Sequence, residues 1–160
     1  MLRIMSVGCV VLISSCSKQP TFEEMIQKYA NNMDVFNNIA NYACNLQTDV
    51  SWWNYDNETQ LDGRVDFQLE AWLEELNAES IAYKKKPNGD CQLTIGMYRR
   101  SFGGSGQSYS YSYNKENPYR YDENVHTYEK IIDSKYDTNI DIILSDLNTE
   151  KKWYFTFTYS

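Results

Sequence analysis

From Phe22 onward the apolar positions Phe22, Ile26, Tyr29, Met33, Phe36, Ala40 and Ala43 follow alternating spacings of four and three. That rhythm is the mark of one buried stripe along a helix. Thr21 and Glu24 stand where a capping box would open it, the hydroxyl accepting from the Glu24 N–H and the carboxylate reaching back to the Thr21 N–H. The spacing predicts a long helix reaching about Gln47, with Asn31, Asn32, Asn37, Asn38 and Asn41 mostly on its wet side. Val65, Leu69, Trp72, Leu73 and Leu76 predict a second, shorter helix that ends near Asn77.

The rhythm then changes to two. Ile81 and Tyr83 alternate with polar residues, as do Cys91, Leu93, Ile95 and Met97 after Pro87-Asn88-Gly89. A two-residue Asn-Gly turn would set Lys84 opposite Leu93. A three-residue loop instead pairs Tyr83 with Leu93 and Ile81 with Ile95, so the hydrophobic pattern selects the longer loop. Gly103-Gly104-Ser105-Gly106 leads into Gln107–Tyr113, where Tyr109, Tyr111 and Tyr113 face one way and Ser108, Ser110 and Ser112 the other. No Lys and no helix follow these glycines, so the loop reads as a hairpin connection and not a phosphate cradle.

Val125 to Ile132 read as a further strand. Trp153, Phe155, Phe157 and Tyr159 alternate with Tyr154, Thr156 and Thr158 in a terminal strand too apolar to lie at an open edge. Helices first and strands after predict an α+β domain over 21–160: a long N-terminal helix and a shorter helix packed on an antiparallel sheet of about four or five strands.

Ahead of this domain, Arg3 precedes the apolar run Ile4 to Ile13, and Ile13-Ser14-Ser15-Cys16 closes it. The run is too short to span a bilayer, which takes about 20 residues, and its layout is that of a secretory signal over residues 1–15. The segment Ile13-Ser14-Ser15-Cys16 resembles the lipid-attachment motif of bacterial lipoproteins, with Ile in place of the commoner Leu. The resemblance implies diacylglyceryl transfer to Cys16, cleavage between Ser15 and Cys16, and N-acylation, palmitate being a typical chain. Residues 16–20 then form the lipidated cysteine and a short tether. Ser17 after the cysteine is similar to proteins sent to the outer membrane, which implies anchoring there, facing the periplasm. The remainder is similar to small bacterial proteins with a glycine-serine loop, a Tyr-rich strand and a terminal Trp-Tyr strand, a likeness that carries no active site.

Export changes the meaning of the cysteines. Cys9 leaves with the signal and Cys16 takes lipid, so Cys44 and Cys91 remain, as one disulfide or as two buried thiols. The net charge is −7, and the one basic run is Lys84-Lys85-Lys86 at the hairpin. Such a chain is no partner for nucleic acid or for anionic headgroups; its membrane contact rests on lipid at Cys16.

Candidate chemistry is sparse. Aromatics make up 15% of the chain, 14 of them Tyr, and Trp52-Trp53-Asn54-Tyr55 interrupt a polar, turn-rich stretch. Those rings either stack on sugars or anchor a protein partner, or they cap one end of the core. With Tyr109, Tyr111 and Tyr113 they are the candidate partner-binding residues. Glu70, Glu74, Glu75 and Glu79, or acids between Asp133 and Asp141, would supply paired carboxylates if two of them converged in a cleft. His126 has no Ser, Cys or metal constellation near it in sequence and reads as structural. Asp137-Thr138-Asn139-Ile140-Asp141 matches the opening of a calcium loop, but Ile142 replaces the required Gly and Asn148 the bidentate Glu. No metal or cofactor is expected. The pattern points to a non-catalytic binding or accessory module for an envelope protein or glycan; the alternative is a hydrolase acting on envelope glycan.

Overall fold

A computed structural model describes residues 19–46, 50–54, 67–85, 90–102, 105–133, 138–145 and 152–159. Thr21 opens the first helix through the expected capping box, its hydroxyl accepting from the Glu24 N–H at 3.2 Å while the Glu24 carboxylate accepts from the Thr21 N–H at 2.7 Å. The helical path is not continuous. It forms α1 (Phe22–Asn31) and α2 (Met33–Asn45), interrupted at Asn32. Asn32 leaves the helical region at φ −126°, and its N–H donates to the Tyr29 carbonyl, while its side-chain amide donates to the Lys28 carbonyl at 2.8 Å. Asparagine competes with helical backbone bonding in this way, so the one long helix becomes two. The buried stripe runs through Phe22, Met25, Tyr29, Phe36, Ile39, Ala40 and Ala43. Ile26 and Met33 fall to its rim at 38% and 45% exposure, because the 3.6-residue period equally allows Met25 and Ile39 to hold the centre.

The shorter helix, α3 (Phe67–Glu75), buries Leu69 and Leu73. It stops near the expected position: Asn77 takes φ 50°, its N–H bonds Glu74, and the Ala78 N–H bonds Leu73. These are the two bonds of a Schellman cap with Asn in the left-handed position.

The described residues form six antiparallel strands, the first of them ahead of α3: β1 (Val50–Asn54), β2 (Ser80–Lys85), β3 (Cys91–Phe102), β4 (Ser105–Tyr113), β5 (Thr138–Ile143) and β6 (Trp153–Tyr159), ordered β1-β2-β3-β4-β6-β5. The β2–β3 register sets Ile81 opposite Ile95 and Tyr83 opposite Leu93, as the hydrophobic pattern required; the turn itself, 86–89, lies outside the described residues. The terminal strand sits inside the sheet between β4 and β5. The sheet exceeds the expected count because β1 arises from the stretch read as turn-rich and β5 from the one compared with a calcium loop. The expected strand over Val125–Ile132 is instead the short helix α4 (Tyr128–Ile132), capped by the Thr127 hydroxyl.

Aromatic rings join the layers. Phe22 lies 5.4 Å from Phe155 and 5.2 Å from Phe157, and Phe36 lies 4.5 Å from Tyr111 and 5.3 Å from Trp153. The Tyr111 hydroxyl donates to the Met25 carbonyl at 2.7 Å, and the Gln19 amide donates to the Tyr109 hydroxyl at 2.8 Å and bonds Gln107. The phenols are thus buried with their polar ends satisfied. Cys44 and Cys91 form a disulfide that ties the end of α2 to the start of β3.

Two outcomes follow from this core. Replacing both Cys44 and Cys91 with Ala should lower the unfolding free energy by about 4 kcal/mol for a bridge spanning 47 residues; urea denaturation showing no loss would contradict it. Burial pushes the Tyr29 phenol up to about 12 and also raises those of Tyr109 and Tyr111. Unfolded Tyr ionises near ~10, so this contribution is fully present below that pH and declines as pH rises through the folded value. Part of the phenolate absorbance should therefore appear only together with loss of the near-ultraviolet circular dichroism. Complete tyrosine ionisation with the fold intact would be the contrary result.

Candidate functional site

The helical side of the molecule carries a groove of about 520 Å³ between α2 and α3, lined by Asn38, Asn41, Tyr42, Asn45, Leu46 and Trp72. Its making is local. Asn38, Asn41 and Asn45 recur at three- and four-residue steps, which places them along one side of α2. Their amides are exposed and make no hydrogen bond to another described residue. Leu69 and Leu73 bury α3 in the core and bring Trp72 up beside Tyr42, the two rings meeting edge to face at 5.7 Å. Tyr42, Leu46 and Trp72 are half-buried and rest on the core, so the two rings and the Leu46 side chain are held in place before any ligand arrives. The disulfide at Cys44 fixes the same end of α2. Among the described residues, no charged side chain lines the groove.

The opposite face of the sheet holds a different arrangement. Strand alternation sends Ile140 into the core and Asp141 to the other side, where it is only 2% exposed. Lys115 reaches its two carboxylate oxygens at 2.9 and 2.7 Å, the Tyr119 N–H donates to it at 2.6 Å, and the Thr156 hydroxyl at 2.5 Å. Ser112 extends the chain to Thr156 at 3.0 Å, and the Lys115 ammonium stands 4.8 Å from the centre of the Tyr119 ring. A buried carboxylate needs this full set of partners. Its effect is to latch the segment from Lys115 to Tyr119 across β4, β6 and β5. The saturated carboxylate has a structural task.

The residues singled out from sequence fall in different places. Tyr109 and Tyr111 are fully buried in the core and Tyr113 is half-buried against Trp153 at 5.1 Å. Pattern alone showed that these tyrosines share a face, and that face is the one the helices cover, so Tyr109 and Tyr111 present no ring to a partner. Trp52 and Trp53 belong to the edge strand β1, opposite Ala82 and Ile81, and not to a loop; Tyr55 lies outside the described residues, as does Cys16. Glu74, Glu75 and Glu79 are exposed and Glu70 half-buried, all on or just after α3, whereas Asp141 occupies the far face of the sheet. The sheet therefore lies between Asp141 and the acids of α3, while Asp133 follows α4, whose Tyr128 packs on Phe22 on the helical side. His126 closes a local turn, its Nδ1 accepting from the Asp122 N–H at 2.9 Å.

The sequence reading missed the groove. Asn38 and Asn41 had been placed on the wet side of the helix and Trp72 in the stripe of the next one; what joins them is the α2–α3 packing, a tertiary event. Comparison with protein-family models, with curated proteins and with solved structures finds no match.

The latch on the outer face is open to mutation. Asp141→Ala strands Lys115 and the Tyr119 N–H and should cost about 3 kcal/mol of stability. Leu at 141 together with Met at 115 should recover part of that loss, because both charges then leave the interior. Equal stability of wild type and Asp141→Ala in chemical denaturation would show that the latch carries no weight.

Proposed function

We propose that this chain is a lipid-anchored bacterial envelope protein whose domain is a non-catalytic binding module, with the α2–α3 groove as its contact surface. One observation carries the binding role: a preformed recess of about 520 Å³ in which two aromatic rings stand beside three amides that bond no other described residue. Ligand sites typically enclose ~300–1,000 Å³ and combine apolar rings with a few placed polar groups. The anchor is supported by the Arg3, Ile4–Ile13 and Ile13-Ser14-Ser15-Cys16 sequence. Two acyl chains would hold the protein without help from charge, which a net −7 does not supply.

The two halves of the proposal separate experimentally. Labelled palmitate should enter the wild-type chain and not Cys16→Ser, which should also leave the membrane fraction; equal labelling of both removes the anchor. A photo-crosslinking amino acid at Asn41 should give a discrete adduct in intact envelopes, and the same probe at Asp34, exposed on α2 and outside the groove, should not. Identical products from both positions would remove the groove as the contact surface.

A further inference from the structure

We infer that the groove between α2 and α3 takes a neutral pyranose oligosaccharide; the inference rests on the binding-module reading and names its ligand class. Three features converge on that chemistry. Trp72 meets Tyr42 edge to face and stays half-buried at the groove, so a face of its indole is left uncovered by that contact. Such a face suits the C–H side of a pyranose, which is apolar and flat and packs on an aromatic ring as other apolar surfaces do. Beside the rings stand the amides of Asn38, Asn41 and Asn45, each able to donate two hydrogen bonds and accept at its oxygen. Adjacent sugar hydroxyls are donors and acceptors at once, so one amide can serve a pair of them.

The spacing is the second argument. Asn38 to Asn45 covers about 10 Å along the helix axis at the usual rise per residue. The amides therefore form a ladder roughly as long as a disaccharide, running past the aromatic pair. A single small polar ligand would use one rung; a chain of sugars uses all three.

Charge decides the kind of sugar. None of the six described residues that line the groove is charged, and the whole chain carries −7. A uronic acid or a sulfated or phosphorylated saccharide would find no cation among the described lining residues and would be repelled at longer range. Leu46 also lines the groove and offers an apolar contact. An anionic peptide is disfavoured for the same reason, and a cationic one finds no carboxylate among the described lining residues.

The test uses the full acylated chain in a detergent without sugar headgroups, because a glycosidic detergent would compete. Neutral tetrasaccharides of β-1,4-glucose, α-1,4-glucose and N-acetylglucosamine are titrated by calorimetry and by tryptophan emission, beside an oligogalacturonate as the anionic comparison. At least one neutral oligosaccharide should bind saturably and shift the emission, with the oligogalacturonate at least about tenfold weaker. Trp72→Ala should weaken binding about tenfold and Asn41→Ala about fivefold. Because Trp72 rests on the core, Trp72→Phe and Asn38→Ala serve as variants that keep the fold: the first should retain most of the affinity and the second lose severalfold.

Binding unchanged in all the asparagine and Trp72 variants would overturn the groove as the site. Tighter binding of the acidic saccharide would overturn the neutral ligand. If no oligosaccharide binds while the crosslinker at Asn41 yields a polypeptide adduct in the envelope, the sugar inference fails and the binding-module reading stands. If neither occurs, both fail.

Discussion

Phe36 meets Tyr111 and Trp153, and Phe22 meets Phe155 and Phe157, at ring separations of 4.5–5.4 Å. These contacts decide where α1 and α2 lie on the sheet, and most of the remaining structure adjusts to them. The Tyr111 hydroxyl can be buried because a helical carbonyl is brought over it. The sheet beyond β4 and β6 is then covered on one side only, so its other side needs its own cover. The segment latched by Asp141 supplies it. With the helices over one face and the latched segment over part of the other, α3 packs at the side of α2, and the recess between them is what the packing leaves open.

How much of this could be read from the chain depends on distance along it. The cap at Thr21, the end of α3 at Asn77, the β2–β3 register and the shared face of Tyr109 and Tyr111 are all legible, because each is set by residues a few positions apart or by strict alternation. The interruption at Asn32 is local too, but its cause is one side-chain amide choosing the Lys28 carbonyl, and many asparagines in helices make no such choice. Strand β1 was hidden by its polar neighbourhood; it is a strand because β2 offers it an edge to pair with. Over Val125–Ile132 the Thr127 cap outweighed β-branched composition.

The groove and the latch were illegible for a stronger reason. Asn41 and Trp72 are far apart in sequence, as are Lys115, Asp141 and Thr156, and nothing in the local pattern of either set marks the others as neighbours. Both sets also disguise themselves. Asparagines on a wet helix side look like ordinary solvated residues, and Asp141 looks like one more surface acid on an acidic protein. Only the topology, which returns β6 between β4 and β5 and stacks α3 on α2, turns them into arrangements. The tyrosines of β4 erred in the opposite direction: they looked available and are the floor of the core.

The contact of Gln19 with Gln107 and Tyr109 gives the domain a direction. It fixes the chain to one end of the sheet only three residues after Cys16, a separation of at most ~11 Å. Gln107 pairs with Arg100 near the finish of β3, whereas the disulfide beside the groove is at Cys91, where β3 begins. The two points are nine residue steps apart along the strand, about 30 Å at the usual rise. A lipid on Cys16 would therefore root the molecule by one end of its sheet and raise the Asn45 end of the groove about a domain's height above the bilayer. Held that way, the protein would stand like a short post with its recess near the top, meeting ligands that approach from the compartment and not ones lying in the lipid surface.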